Sequence, residues 1–259
     1  MTIPTTNVTM SSINKALNRV SNTQITFSSQ VSSINSANTL GSTRGRVKEY
    51  FCLLKGDGTN GSTSIPDYTD TFSKVSGTAT ISTATSKFGS ASIRSDNSTS
   101  FFTVSNAPVN INLSSYTGDW TIEGFCYWQT GADIARFLSA FNGSNDASIR
   151  INNLLGTGVL QAYYFEGGSL RNINGSAAPQ NQWFHFAFVR QSTTLYLYRD
   201  GVSQGSTSIS GSALDMDAFT IGQEGGEFFT GYLDEIRFSS ICRYPNGTTF
   251  TPPTSSFAS

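Results

Sequence analysis

Charge is scarce in this chain. Only 13% of its 259 residues are charged, 16 basic against 17 acidic, for a formal net charge of −1. A nucleic-acid partner demands a basic face to neutralise phosphates, and there is no such surplus. There is one histidine, His185, which alternates with Trp183 and Ala187 in a strand-like run, an arrangement that argues against a Ser/His/Asp triad. Three cysteines, Cys52, Cys126 and Cys242, stand far apart with no CxxC or Cys/His spacing, which excludes a zinc motif. Free buried thiols in a reducing cytosol are expected; a disulfide would need two of them on neighbouring strands. No apolar run approaches a membrane span, and the opening MTIPTTNVTMSSINKAL has no apolar core of the signal-peptide kind. The expectation is a soluble chain without membrane insertion. No phosphate-cradling loop is found either: Gly222–Gly226 (GQEGG) reads as a turn.

What is present is aromatic and alternating. The chain has 19 Phe and 10 Tyr, which favours strands. Trp120–Trp128 places Trp120, Ile122, Gly124, Cys126 and Trp128 on one face and Thr121, Glu123, Phe125 and Tyr127 on the other. Trp183–Arg190 and Thr194–Arg199 are strong strands, and Asp200-Gly201 is the best hairpin signal, leading into Val202–Thr207. Further strands are expected at 47–54, 78–82, 90–94, 101–104, 137–141, 148–151, 158–165 and 218–221, and none between Phe165 and Trp183. In the closing run 227–238, strict alternation puts Tyr232, Asp234, Ile236 and Phe238 in one phase and Leu233, Glu235 and Arg237 in the other. Pro245, Pro252 and Pro253 then take the chain out of the sheet. About a dozen short strands with almost no helical periodicity predict a sandwich or barrel of antiparallel sheets.

Residues 1–45 differ from the rest: one aromatic, no Asp or Glu, and abundant Ser, Thr and Asn. A pattern recurs there, Val8-Thr9-Met10-Ser11-Ser12 and Ile25-Thr26-Phe27-Ser28-Ser29. Ile13, Leu17 and Val20 follow the first copy at helical spacing. Units this small need a partner surface. The expectation is an N-terminal docking arm at 1–45, with Val8, Met10, Ile13, Leu17, Ile25 and Phe27 as its docking side chains, ahead of one domain at 46–259.

The ordered landmarks carry a resemblance. They are Leu53-Leu54-Lys55-Gly56-Asp57-Gly58-Thr59-Asn60-Gly61, then Ser86-Lys87-Phe88-Gly89-Ser90-Ala91-Ser92, then Trp120-Thr121-Ile122-Glu123-Gly124-Phe125. Next come Trp183-Phe184-His185-Phe186-Ala187, Leu195-Tyr196-Leu197-Tyr198-Arg199-Asp200-Gly201 and Gly231-Tyr232-Leu233-Asp234-Glu235-Ile236-Arg237. Over about residues 50–257 the chain resembles the laminin-G-like, concanavalin-A-like jelly-roll superfamily, in the variant found in tailed bacteriophages. The ending Arg243-Tyr244 … Phe250-Thr251-Pro252-Pro253-Thr254 is the part most like phage copies. The resemblance implies an all-β, antiparallel two-sheet jelly-roll sandwich whose first strand lies beside its last, so that Cys52 or Leu54 neighbours the Asp234 strand.

It also implies candidate sites. Relatives that cleave glycans carry a Glu-x-Asp-x-x-Glu strand, and none of the six glutamates here falls in that pattern, so an enzyme is not expected. Relatives that bind calcium do so at the sandwich rim; the candidates are Asp57, Asn60 and Asp234. Sugar-stacking aromatics beside polar groups would be Trp128, Tyr163 and Tyr164, with Glu224 and Glu227 in the loop before the closing strand. The leading expectation is a virion structural protein, on capsid or tail. Its arm would dock on other virion proteins, homo-oligomers would form, and the jelly roll would bind host-surface glycans weakly and multivalently. The alternatives are a free lectin-like module and a polysaccharide-degrading enzyme.

Overall fold

The computed structural model describes residues 50–68, 73–96, 102–105, 117–129, 135–141, 147–153, 157–166, 169–210, 218–224 and 227–258. The chain divides into two units, Met1–Val47 and Lys48–Ser259. The first, and with it every residue of the expected docking arm, lies outside the described residues. The strands are β1 (Tyr50–Leu54), β2 (Ser73–Gly77), β3 (Thr80–Ser82), β4 (Ser92–Ser95), β5 (Phe102–Ser105) and β6 (Trp120–Trp128). They continue with β7 (Ala135–Phe141), β8 (Ala147–Asn153), β9 (Val159–Glu166), β10 (Ser169–Ala177), β11 (Trp183–Gln191) and β12 (Thr194–Arg199). The last are β13 (Val202–Ser208), β14 (Ala218–Ile221), β15 (Gln223–Glu224), β16 (Glu227–Phe228) and β17 (Gly231–Ser239). One sheet runs β13-β12-β11-β6-β17-β4-β3, with β1 also paired to β17; the other runs β10-β9-β8-β7-β14-β5-β2. All pairings are antiparallel among the described residues, and the fold is an all-β jelly-roll sandwich.

The core follows from alternation. Trp120, Ile122, Cys126 and Trp128 on β6 face Leu138, Ile151, Ala162 and Tyr164 of the second sheet's strands in one continuous buried cluster. β1 pairs with β17 through Leu54↔Ile236 and Cys52↔Phe238, as the resemblance implied. β17 separates β1 from β6, which carries Cys126, and all three cysteines are free thiols. The hairpin at Asp200-Gly201 has φ of 49° and 76°, the doubly left-handed turn that matches strand twist.

The closing strand corrects the strict alternation. Asp234 pairs with Phe125 and Arg237 with Glu123, so β17 spends one more residue than β6 over this stretch: a β-bulge. Glu235 takes up the extra residue at φ 52°. The phase flips there. Leu233, Ile236 and Phe238 enter the core, whereas Tyr232, Asp234 and Arg237 share the outer face. Asp234 therefore does not stand among Ile236 and Phe238.

That outer face is covered by the proline-rich ending. Phe257 packs on Leu53 and Phe125; Tyr244 and Phe250 stack on each other at 3.5 Å over Ala187, Val189 and Tyr198. Phe250 donates its backbone N–H to the Gly201 carbonyl at 3.0 Å. A Cβ on Gly201 would lie 1.9 Å from the Phe250 carbonyl oxygen, at φ +76°. Gly201→Ala is therefore expected to cost about 1–3 kcal/mol. It should also make the segment after Ser240 the first to be cut in limited proteolysis, which mass spectrometry of the fragments would read.

Candidate functional site

Strands β9 and β10 build a polar outward face at one edge of the second sheet. On β9 the alternation sends Leu160, Ala162 and Tyr164 into the core and leaves Gln161, Tyr163 and Phe165 on the other side. On β10 only Ile173 is buried, and Leu170, Asn172 and Asn174 are exposed. The register sets Phe165 opposite Leu170, Tyr163 opposite Asn172, and Gln161 opposite Asn174; on β8, Asn152 faces Gln161 and Arg150 faces Tyr163.

These side chains form one hydrogen-bonded array. The Asn152 amide donates to Gln161 Oε1 at 3.1 Å, and the Tyr163 hydroxyl donates to the same oxygen at 2.9 Å. Gln161 donates to Asn174 Oδ1 at 2.6 Å, and Asn172 donates to it at 3.5 Å. At the other end Arg136 donates to Asn152 Oδ1 at 3.4 Å and is ion-paired through Nε with Glu227. Buried Asn152 and Gln161, 1% and 5% exposed, fix the orientation of the exposed Asn172 and Asn174. Each asparagine has two donors and an acceptor oxygen, more than its bonds here consume. Such a surface can recognise hydroxyls, which also donate and accept.

The structure brings two of the expected sugar residues into this array: Tyr163 directly and Glu227 through Arg136. Trp128 and Tyr164 do not belong to it. Trp128 is 6% exposed and Tyr164 1%, with its ring 6.3 Å from Trp120 in the core, so neither presents a face to a sugar. Their inward phase is the reason. Glu224 lies on β15, paired with Glu227 across a two-strand ribbon; its side chain lies outside the described residues.

The calcium candidates do not make a cage. Asp57 Oδ1 accepts from Ser90 N at 3.3 Å, and Asn60 Oδ1 from Thr83 N at 3.1 Å. Asp234 Oδ2 accepts from Lys87 N at 2.8 Å and Phe88 N at 3.1 Å. Asp234 thus holds the 86–90 loop, and Asp57 holds the same loop by its other end. Calcium wants six or more oxygens. Among the described residues no group of three or more His, Cys, Asp or Glu could hold a metal.

Sequence reasoning missed the centre of the other outer face. Glu123, with no exposed side-chain surface, accepts from Arg237 at 3.0 and 2.6 Å and from the Tyr244 hydroxyl at 2.6 Å, and lies 3.2 Å from His185 Nε2. Burial alone would raise its pKa, but the His185 hydrogen bond, Arg237 and Tyr244 outweigh it and hold the carboxyl near 2. No signal in the sequence joined them: the strand order β11-β6-β17 and the bulge at Glu235, which turns Arg237 to the outer face, are visible only in the structure. A carboxylate beside an imidazole suggests acid–base chemistry, yet both are buried, with Tyr244 and Phe250 packed edge-on against His185, and no substrate can reach them.

Comparison with known proteins agrees with the fold. A family model described as the concanavalin A-like lectin/glucanases superfamily matches residues 96–246. No curated protein matches. Among solved structures, the binding domain of botulinum neurotoxin DC in complex with rat synaptotagmin II superposes at TM-score 0.58 with 11% identity, over 75% of this chain and 49% of that one. The same toxin domain in complex with SialylT gives 0.57, 10%, 75% and 48%. A structure of botulinum neurotoxin type C, whose cell entry is described as dependent upon interaction with two ganglioside molecules, gives 0.57, 11%, 79% and 50%. The chain thus spans about half the length of these toxin domains. With more than half of its residues matched by that one family model, this chain belongs to the concanavalin A-like lectin/glucanase superfamily.

Proposed function

We propose that this chain is a non-catalytic carbohydrate-binding protein that uses the β9–β10 face. The observation that carries the reading is the array of Asn152, Gln161, Tyr163, Asn172 and Asn174, pre-oriented on a sheet and open to solvent at its Asn172–Asn174 end. Support comes from the superfamily's lectin members and from the similar toxin domains described with SialylT and with gangliosides. Against the glucanase alternative stand the missing Glu-x-Asp-x-x-Glu strand and the sealed Glu123–His185 pair. The test is affinity electrophoresis of the full chain through gels holding a panel of polysaccharides. Retardation by at least one is expected, weakened about tenfold in Asn172→Ala/Asn174→Ala. Absence of retardation throughout the panel would sink the reading.

The same proposal places the protein on a tailed-phage particle, docked through residues 1–45 to other virion proteins, with host-surface glycans as its target. The phage-like ending Phe250-Thr251-Pro252-Pro253-Thr254 and the charge-poor arm motivate this. Many copies on one particle would turn weak sugar contacts into firm adhesion. Mass spectrometry of purified particles should find the chain there; finding it only in the soluble lysate would favour a free lectin-like module.

A further inference from the structure

Most large apolar side chains among the described residues are buried, but two exposed ones stand opposite each other. Phe165 is 39% exposed and Leu170 is 47% exposed, and they are cross-strand partners on β9 and β10. On the same outward face lie Tyr163 with Asn172, then Gln161 with Asn174. The charged residues of this hairpin point the other way. Glu166 is 5% exposed and accepts from Ser210 N at 2.8 and 2.9 Å, and Arg171 Nε lies 3.9 Å from Glu166 Oε2. The nearest charged position in register is Arg150 on β8. Apolar pair and amides therefore make one uncharged strip along two strands.

Resting on the carbohydrate reading above, we propose that Phe165 and Leu170 are the stacking platform of the site and that its ligand is an uncharged saccharide. A pyranose ring has an apolar C–H face and a rim of hydroxyls. The C–H face of one ring lies on Phe165 and Leu170 with its hydroxyls at Asn172, and the next ring of an oligosaccharide reaches Asn174; these amides supply donors and acceptors without charge. Two side chains are far too small a patch for a stable protein partner, which takes about 800 Å² per side. An anionic saccharide would leave its charge facing neutral amides.

The experiment titrates the full chain with neutral glucan, mannan and galactan and with uronic-acid and sulfated counterparts, at about 50 and about 500 mM salt. The neutral polymers are expected to bind with the same affinity at both salt concentrations. Phe165→Ala and Leu170→Ala are expected to weaken binding about tenfold each, and Phe165→Tyr to preserve it. Both alanines replace exposed side chains, and an unchanged thermal midpoint would show the fold intact. Binding confined to the anionic polymers and fading with salt overturns the inference while leaving the carbohydrate reading in place. So does neutral binding that survives both alanines and falls only with Asn172→Ala/Asn174→Ala. No binding to any polymer removes the carbohydrate reading and this inference together.

Discussion

Replacing Glu123 by alanine is expected to cost about 3–5 kcal/mol, read as a large drop in the urea midpoint. The reason is what remains. Arg237, with an 11% exposed side chain, would keep its charge under the ring of Phe257 at 3.5 Å with its two bonds to Glu123 gone. Arg243, 3.5 Å away, and the Tyr244 hydroxyl would lose the same partner. Tyr244 stacks on Phe250, so the loss should spread along the tail, and the segment after Ser240 should become protease-sensitive below the denaturation midpoint. The pH dependence gives a second readout. A carboxyl lowered from 4.5 to about 2 contributes stability that is complete above pH 4.5 and is lost as pH falls through 2. That contribution is worth roughly 3 kcal/mol. Glu123→Gln keeps the shape and removes this titration, so it should lose less stability than the wild type as pH falls through that window. An unchanged midpoint for Glu123→Ala would mean that the tail is held by packing alone.

Much of the fold was legible because burial on one face imposes a period of two. β6, β11 and β12 could be read this way, whereas β13, which has no buried residue, was marked by the hairpin signal at Asp200-Gly201. The failures have physical causes. In β17 a single extra residue at Asp234–Glu235 shifts every later side chain to the opposite face, and no composition rule marks a bulge that uses glutamate rather than glycine at positive φ. Strand β10 escaped because it is an edge strand with eight of nine residues not buried, so SLRNINGSA shows no alternation of polarity.

The site was less legible for the same reason. Half of the amide array sits on β10, so Asn172 and Asn174 had no strand to belong to, and Gln161 had no visible partner. Tyr163 stood out as an aromatic beside polar residues, but Tyr164 and Trp128 look the same by type; only inward phase separates them. The covering of the first sheet's outer face was hidden too. Glu123 and Phe125 share one phase of β6, but nothing in the sequence marks that the tail lies across them and His185.

Asp234→Asn is expected to stabilise the protein at pH 8 and to leave it unchanged near pH 4. Burial pushes the Asp234 carboxyl up to about 7, against the lowering effect of the Phe88 and Lys87 N–H groups, and the neighbouring Glu235 carboxylate adds to the rise. Oδ2 receives both backbone donors, whereas Oδ1 is buried without a partner, the place a proton would occupy. A folded-state pKa raised above the unfolded 3.8 means that the stabilisation is complete below pH 3.8 and lost as pH rises through 7. The rise from 3.8 to about 7 would correspond to at most roughly 4 kcal/mol. Asparagine keeps a carbonyl for the two N–H groups and cannot ionise, so the variant's thermal midpoint should fall less from pH 5 to pH 8 than the wild type's. A lower midpoint for the variant at pH 8 would mean instead that the carboxylate is needed as an anion; reversal of that difference by a chelator would assign the need to a cation at Oδ1. The two carboxyls pull in opposite directions, Glu123 penalising acid and Asp234 penalising alkali. Removing the first should move the pH of maximum stability down, and removing the second should move it up.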